Sequence, residues 1–288
     1  MANILSIKRR MQTAQNVSKT TRAMQMIAAS KLKRAQERAL SSRYYVEKLT
    51  SVTKNLSERV SEEEKREYMK IKSGSEKKLL IVISPDKGLC GGLITNLTKE
   101  LLADNTDSNQ KEYVVIGKKL EKTVSRLGKD MIAFFEFGTI LPSFDIIYPI
   151  AKIIDDEFLS GKVSEVKILY SHFMTVFTQV PKVSTLLPIK IEESPTDKKA
   201  QNSMLFEPAP KEILPTILRH YLEMSLYQFI LESYASEQAA RMVAMKNATE
   251  NAQEIIDYLR LEYNKQRQEK ITNEILDIGS AATAMMYE

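Results

Sequence analysis

Small and apolar side chains recur every three or four residues along the first part of the chain. The recurring positions are Ile4, Ile7, Met11, Ala14, Val17, Thr21, Met24, Ala28, Leu32 and Ala35. No proline or glycine precedes Gly74. This period predicts one helix over residues 3–60, on the order of 80–90 Å long at about 1.5 Å per residue. A lone helix of that length leaves its apolar stripe in water, so the pattern also indicates a coiled-coil partner.

The C-terminal part of the chain shows the same period over an even longer stretch. Its stripe comprises Met245, Ala248, Ala252, Ile255, Leu259 and Tyr263, and resumes with Ile271, Ile275 and Ile278. No proline follows Pro215, and no glycine lies between Pro215 and Gly279. We therefore predict a helix over 211–288. About 70 of its residues, as far as Ala284, would span about 105 Å, and Pro215 would be tolerated in its first turn. Helices from the two chain ends would pair as an antiparallel coiled coil.

The residues between the two helices change to short apolar runs separated by amphipathic stretches. Strands are predicted at 78–84, 112–117, 131–137 and 165–172, with one or two more over 176–187, where Pro181 belongs at an edge or a bulge. Helices are predicted at 93–102, 118–127 and 143–159. Strands that alternate with helices indicate a mostly parallel sheet. The fold class is therefore α/β, with a Rossmann-like three-layer domain inserted into a long coiled coil.

Breaks in composition divide the chain into five parts. A coiled-coil helix at 1–60 precedes a charged linker at 61–76, and the α/β domain occupies 77–190. A proline-containing polar loop at 191–210 leads to the second coiled-coil helix at 211–288.

The charge of the chain is unevenly distributed. The net charge is +5, and residues 1–43 carry ten lysines or arginines against one acid, Glu37. A basic helix face is explained by plain solvation, by a nucleic-acid partner, or by a protein with acidic loops. No aromatic residue lies in 1–43, so base stacking there is not supported.

Candidate catalytic groups are few. The turn SPDKGLCGGLITN at 84–96 has the strand, glycine-rich turn and helix of a phosphate site, but it lacks the lysine and hydroxyl that end a P-loop. The histidines His172 and His220 and the lone Cys90 show no metal-ligand spacing. We therefore expect no catalytic residue, no cofactor and no metal.

The N-terminus and the single cysteine bear on the compartment. A lone cysteine fits a reducing environment, and the N-terminus has no apolar core of signal-peptide length. Its arginine-rich, acid-poor character raises the possibility of a mitochondrial transit peptide, but the apolar period continues well beyond the usual length of one. No apolar run of about 18 residues exists, so no membrane span is expected.

Three separate stretches resemble one protein family. Residues 7–36, IKRRMQTAQNVSKTTRAMQMIAASKLKRAQ, resemble the N-terminal helix of the gamma subunit of F-type ATP synthases, and residues 235–282 resemble its C-terminal helix. The turn at 84–96 is similar to that family's turn after the first strand, although Ile94 stands at a usually polar position. The resemblance is loosest at 105–165 and 191–205. No long insertion follows the first strands, which disfavours the redox-regulated chloroplast form. The absence of a transit peptide before Ile4 suggests a bacterial form or a mature organellar one.

The resemblance implies a rotor rather than an enzyme. By this resemblance the chain is the central shaft that couples proton-driven rotation of the c-subunit ring to ATP synthesis in the beta subunits. Its partners are the hexameric ring of alpha and beta subunits, the epsilon subunit and the c ring, and its place is peripheral, at the cytoplasmic face of the bacterial inner membrane. The alternative hypothesis is a nucleic-acid-binding coiled-coil protein with an α/β domain.

The resemblance also implies which side chains touch the partners. Those expected to face the alpha and beta ring are Arg22, Met24, Lys31, Lys33, Gln238, Arg241, Gln268 and Thr272. In the foot, Phe206 and Glu207 are expected near the c ring.

Overall fold

The computed structural model describes residues 4–60, 68–69, 77–103, 111–128, 130–189 and 206–286. In chain order the elements are α1 (Ile4–Ser57), β1 (Lys78–Ile83), α2 (Leu93–Ala103), β2 (Lys111–Ile116), α3 (Lys118–Arg126), β3 (Met131–Phe135), α4 (Ile147–Leu159), β4 (Glu165–Phe173), β5 (Gln179–Leu187) and α5 (Pro210–Met286). Each predicted helix and strand is confirmed within a few residues of its expected limits. A short 3-10 turn, Phe144–Ile146, precedes α4 where one continuous helix was predicted.

The start of α5 corrects one prediction. The helix begins at Pro210, so Pro215 lies in the second turn and not in the first. Pro210 itself suits the first helical position, where its missing N–H would have no partner. Most of the predicted linker and most of the predicted loop before α5 lie outside the described residues.

The chain divides into two compact units, which do not follow the predicted five parts. The terminal unit is Met1–Ile27 with Met242–Glu288, and the central unit is Ala28–Arg241. The predicted domain limits remain a prediction.

In the terminal unit, α1 and α5 form the expected antiparallel pair. The Thr21 and Thr249 hydroxyls lie 2.7 Å apart and join the two helices. On the α1 side the least exposed positions are Ile4, Ile7, Met11, Ala14, Gln15, Ser18, Thr21 and Gln25. On the α5 side the buried positions are Met245, Ala252, Ile256 and Leu259.

Two predicted seam positions on α1 and one on α5 are wrong. Val17 is 47% exposed and Met24 is 39% exposed, while the adjacent polar residues Ser18 and Gln25 are half-buried. Ile255 is 51% exposed and its neighbour is buried instead. The alternating steps of three and four residues decide which positions face the partner helix, and they do so regardless of residue type.

The predicted resumption of the α5 stripe is also wrong within this chain. Every residue of 267–280 is exposed, including Ile271, Ile275 and Ile278. Counting along both helices from Thr21 and Thr249 brings Ile4, where α1 begins, level with Gln266. The described part of α1 therefore offers no surface to α5 beyond that point.

The central unit contains a five-stranded sheet of order β3-β2-β1-β4-β5. The first four strands are parallel, and β5 runs antiparallel to β4 at the edge. Pro181 lies on this edge strand opposite Ser171, which confirms one of its two predicted placements. Proline has no N–H for a ladder hydrogen bond, so an edge strand accommodates it.

Helices cover both faces of the sheet. Leu80 and Val82 of β1 belong to a buried apolar cluster with side chains of α2 and α3, such as Leu97 and Leu120. The alternate residues of β1 are equally buried on the other face. Helix α4 contacts β4 and buries five apolar side chains, none of which belongs to the first cluster. The three-layer prediction is confirmed.

Candidate partner-contact site

The carboxyl ends of β1 and β4 mark the place where an open α/β sheet would bind a ligand. The chain leaves β1 toward β2 and β3 on one side and returns to β4 on the other, so the direction of winding changes between β1 and β4. In doubly wound sheets the ligand crevice lies at this switch point. The glycine-rich turn after β1, residues 84–92, borders it.

Helix α5 fills this crevice. The Ser236 hydroxyl donates to the Ser171 carbonyl oxygen at the end of β4, over 2.8 Å. Arg241 donates to the carbonyl oxygens of Lys87 (3.4 Å) and Gly88 (3.3 Å) in the turn. No residue of 226–241 is exposed, and 233–240 are all buried. A helix that is buried on every side lies inside a fold and not on its surface.

The turn after β1 also occupies the N-terminus of α3, where a phosphate would bind. The first three backbone N–H groups of α3 donate to Asp86 Oδ1 (2.9 Å), to the Pro85 carbonyl oxygen (3.1 Å) and to Ser84 Oγ (3.2 Å). The other carboxylate oxygen of Asp86 accepts from Gly138 N over 2.6 Å. A helix N-terminus attracts anions because its first N–H groups are unpaired. Here an internal carboxylate takes that position.

Close packing explains one glycine of this region. Gly117 has φ +100, and a Cβ there would lie 1.8 Å from the Ser84 carbonyl oxygen. Any side chain at this position would therefore push apart the turn after β1 and the end of β2.

Three predicted contact residues are already engaged inside the central unit. The ammonium group of Lys31 donates to the Thr139 carbonyl oxygen. Arg241 Nη2 lies 2.7 Å from Glu237 Oε1, and Gln238 is only 2% exposed. A buried amide presents no surface to a partner, so direct binding through Gln238 finds no support in this geometry.

The other predicted contact residues are accessible to different degrees. Arg22, Met24, Lys33, Gln268 and Thr272 are exposed. In the foot, Glu207 is exposed, and Phe206 is half-buried with the Arg59 guanidinium 5.1 Å from its ring centroid. Their contacts with partner subunits stay predictions.

The structure exposes apolar residues that the sequence reasoning did not select. On α1, Met26 and Ile27 are 61% and 57% exposed, and on α5, Tyr258 and Leu261 are 66% and 72% exposed. Apolar side chains outside the seam of a coiled coil were the signal for them, because two helices bury only one stripe each. Such residues mark contact surfaces when they cluster.

Leu89, at the tip of the glycine-rich turn, is exposed in an unfavourable backbone conformation. Its φ is 63, and 63% of its surface is accessible. A left-handed conformation at a residue other than glycine is uncommon, and it concentrates at functional positions.

Buried charge accumulates beside this turn. Glu237 is 4% exposed, and burial raises the pKa of its carboxyl, against the opposing effect of the Arg241 guanidinium. Burial likewise raises the pKa of the Cys90 thiol. Both groups lie where α5 meets the turn.

A second polar cluster joins α4 and α5. The Tyr68 hydroxyl donates to Asp155 Oδ1 over 2.9 Å, and Arg219 Nη2 lies 3.6 Å from Asp155 Oδ2. Burial raises the pKa of the Asp155 carboxyl, against the opposing effects of Tyr68 and Arg219.

Each histidine contacts a polar side chain of another element. His172 Nδ1 lies 2.7 Å from Glu232 Oε2, and His220 Nε2 lies 2.9 Å from the Tyr45 hydroxyl. Among the described residues, no group of three histidine, cysteine or acidic side chains is placed to hold a metal ion. Within the same residues, no helix combines the length and the apolar character that crossing a bilayer requires.

Comparisons with known proteins agree along the whole chain. A family model described as "ATP synthase" matches residues 3–285. The ATP synthase gamma chain of Dehalococcoides mccartyi is 41% identical over 286 residues, covering 99% of this chain and 100% of that one. The ATP synthase gamma chain of Roseiflexus castenholzii is 36% identical over 289 residues, covering 99% of each.

Solved structures show the same fold. A chain from the central stalk and c ring of Tetrahymena thermophila mitochondrial ATP synthase is similar with a TM-score of 0.59 and 26% identity, covering 80% of this chain and 99% of that one. A chain from the OSCP/F1/c-ring assembly of Euglena gracilis mitochondrial ATP synthase has a TM-score of 0.70 at 18% identity, covering 98% of this chain and 94% of that one.

Proposed function

Because this chain belongs to the ATP synthase gamma chain family, we propose that it is the central rotor shaft of an ATP synthase. In this role it couples proton-driven rotation of the c ring to ATP synthesis in the beta subunits. The nucleic-acid-binding alternative finds no support in the family or in the fold.

The observation that carries the proposal is the seating of α5 in the α/β domain. A shaft must pass torque from its foot to its free end without slipping, and a helix held by both apolar packing and hydrogen bonds resists slipping. Residues 226–241 supply that hold, since none of them is exposed. The same helix then continues to Met286 with no internal proline beyond Pro215.

Steric contacts, more than surface ion pairs, would supply the free energy that couples rotation to the state of the catalytic sites. To drive a two-state site from about 1:99 to 99:1, the shaft must favour one state by about 5.5 kcal/mol. A screened surface ion pair contributes roughly 0–1 kcal/mol. Exposed apolar and uncharged contacts such as Met24, Gln268 and Thr272 would therefore act by steric fit, with Arg22 and Lys33 orienting the contact.

The chain itself is proposed to be non-catalytic. The crevice in which an α/β enzyme would bind its ligand holds α5, and Asp86 takes the anion position at α3. ATP chemistry would then belong to the beta subunits of the surrounding ring.

The proposed partners follow from the complex. They are the hexameric alpha and beta ring around the coiled coil, the epsilon subunit beside the α/β domain, and the c ring at the foot, near Phe206 and Glu207. The bacterial relatives favour a peripheral position at the cytoplasmic face of the inner membrane.

One experiment with a matched pair of variants tests this function. The chain is assembled with the alpha, beta, epsilon and c subunits of its own organism in vesicles, and ATP hydrolysis and proton pumping are measured together. Met24→Lys should lower pumping several-fold more than hydrolysis, because it adds a cation to an exposed position proposed to face the ring. Met174→Lys, the same substitution at an exposed methionine of the central unit that is not among the proposed ring contacts, is the control.

The outcomes separate the alternatives. ATP hydrolysis by the isolated, clean chain, or its failure to co-purify with alpha and beta, would overturn the rotor assignment. Equal loss of pumping and hydrolysis in Met24→Lys would remove Met24 from the contact surface. Salt-sensitive binding of the isolated chain to DNA or RNA, without assembly, would revive the nucleic-acid alternative.

A further inference from the structure

The glycine-rich turn is held to α5 by one buried ion pair. Glu237 Oε1 lies 2.7 Å from Arg241 Nη2, and the same guanidinium nitrogen donates to the carbonyl oxygens of Lys87 and Gly88. Glu237 and Arg241 stand one helical turn apart on α5. The carboxylate therefore holds the guanidinium at the height at which it reaches the turn.

The Glu237 carboxylate is buried although, in the part of the chain that the structure describes, only one of its oxygens has a partner, which is energetically unfavourable. The Glu237 side chain is 6% exposed, and its second oxygen, Oε2, has no hydrogen-bond partner among the described residues. Burial raises the pKa of the carboxyl. A partly satisfied buried charge is weak evidence for a gain in global stability over an apolar residue, so the position of this pair against the turn is the feature that requires an explanation.

The turn itself carries a second unfavourable feature. Leu89 follows the two carbonyl groups that Arg241 binds, and it is held with φ 63 and with 63% of its surface exposed. The turn thus projects an apolar side chain into solvent from a backbone conformation that leucine avoids. Strain of this kind persists only where surrounding contacts impose it.

We propose that Glu237 and Arg241 are positioning residues that fix the turn 85–92 on α5, so that Leu89 is carried as a rigid projection by that helix. Arg241 supplies the hydrogen bonds, and Glu237 sets the guanidinium in place. The expected effect on torque rests on the proposed rotor function. A rigid projection transmits torque, whereas a loose one absorbs part of each rotational step.

Cys90 gives a native reporter of the turn. It is the single cysteine of the sequence, it lies within the turn, and it is 1% exposed. Its reaction with the disulfide reagent DTNB requires the turn to open. Glu237→Gln, which keeps the shape but removes the charge, should raise the labelling rate of the purified full chain about tenfold, and Arg241→Gln should raise it at least as much.

The measurement must separate opening from ionisation. Glu237 and Arg241 both influence the pKa of the Cys90 thiol. Labelling is therefore followed across pH and compared at the alkaline plateau, where the thiol is fully ionised. It is repeated in low concentrations of urea, because local opening is nearly independent of urea and global unfolding is not.

A surface ion pair on the same helix provides the control. Lys246 and Glu250 have the same spacing as the buried pair, with N···O 3.8 Å, and both side chains are exposed. Glu250→Gln should leave the Cys90 plateau unchanged. An unchanged plateau in both Glu237→Gln and Arg241→Gln would overturn the proposal, as would a plateau rise equal to that of Glu250→Gln.

The consequence for torque is tested in the assembled complex. Glu237→Gln should assemble normally and lose proton pumping relative to hydrolysis, whereas Glu250→Gln should not. A raised plateau with unchanged pumping would overturn the role in torque. Failure of the unmodified chain to assemble would instead contradict the rotor function, so the two failures are distinguishable.

Discussion

Two stretches of the same helix differ in how far their residues are buried. Residues 226–241 of α5 include no exposed position, whereas every residue of 267–280 is exposed. Both stretches carry large apolar side chains, fewer in the second, which presents Ile275, Leu276 and Ile278 with 63%, 63% and 70% exposure. Helix periodicity alone does not distinguish them. One stretch is therefore buried by its own chain, while the other stays exposed, as the proposed contact with a partner requires.

The same substitution in both stretches should change the stability of the chain by very different amounts. Ile230 is 0% exposed and Ile278 is 70% exposed. Ile230→Ala should lower the free energy of unfolding of the isolated chain by about 2–5 kcal/mol, because it leaves a cavity. Ile278→Ala should change it by less than about 0.5 kcal/mol. Urea unfolding followed by circular dichroism measures both, and similar losses would refute the distinction.

A smaller effect is expected from a single hydroxyl. Ser236 Oγ donates to the Ser171 carbonyl oxygen over 2.8 Å, and the cross-strand partner of Ser171 is Pro181, which has no N–H. Ser236→Ala should therefore cost about 1–3 kcal/mol, since it leaves a buried acceptor without this donor.

The free stretch again supplies the matched control. Ser280 Oγ donates to the Asp277 carbonyl oxygen at an exposed position. Ser280→Ala should leave the urea midpoint of the isolated chain unchanged, because water replaces the lost hydroxyl. A comparable shift in both variants would show that the Ser236 contact does not anchor the helix.

The smallest expected effect concerns pH. Burial raises the pKa of the Asp155 carboxyl, so the folded chain binds this proton more tightly than the unfolded chain does. Its contribution to stability is complete below the unfolded pKa of about 3.9 and is lost as the pH rises through the folded pKa. The native chain should therefore lose stability relative to Asp155→Asn over that window.

Urea unfolding at a series of pH values measures this difference. Asp156→Asn is the control, because Asp156 is exposed next to the buried carboxyl. A stability difference between the native chain and Asp155→Asn that stays constant with pH, or that grows in favour of the native chain as the pH rises, would contradict the assigned effect of burial.

Local sequence patterns predict the secondary structure correctly. They do not predict which of two adjacent residues faces the partner helix, because tertiary packing decides that. Val17 and Ile255 are apolar, but helix geometry places Ser18 and Ile256 at the seam instead. The phosphate-like turn was recognised by its spacing. The reason it is occupied, the Asp86 carboxylate at the start of α3, depends on residues more than thirty positions apart.

The contact residues divide in the same way. Resemblance selected Arg241 and Gln238 together, but burial shows that one binds a turn of its own chain and that the other is enclosed. Glu237 had no signal in the sequence beyond its spacing from Arg241. Its importance follows from burial, which no local pattern reports.

Helical period, the placement of glycine and proline, and short apolar runs act over neighbouring residues, and they suffice to predict two long helices with an α/β domain between them. The family followed from the resemblance of three stretches. That α5 fills the crevice at the carboxyl ends of β1 and β4 depends on tertiary packing, which no local pattern reports. Contacts such as Ser236 with Ser171 and Arg241 with Gly88 join residues far apart in the chain. Such contacts depend on how whole elements pack, and that packing turns one regular helix into an anchored part and a free part.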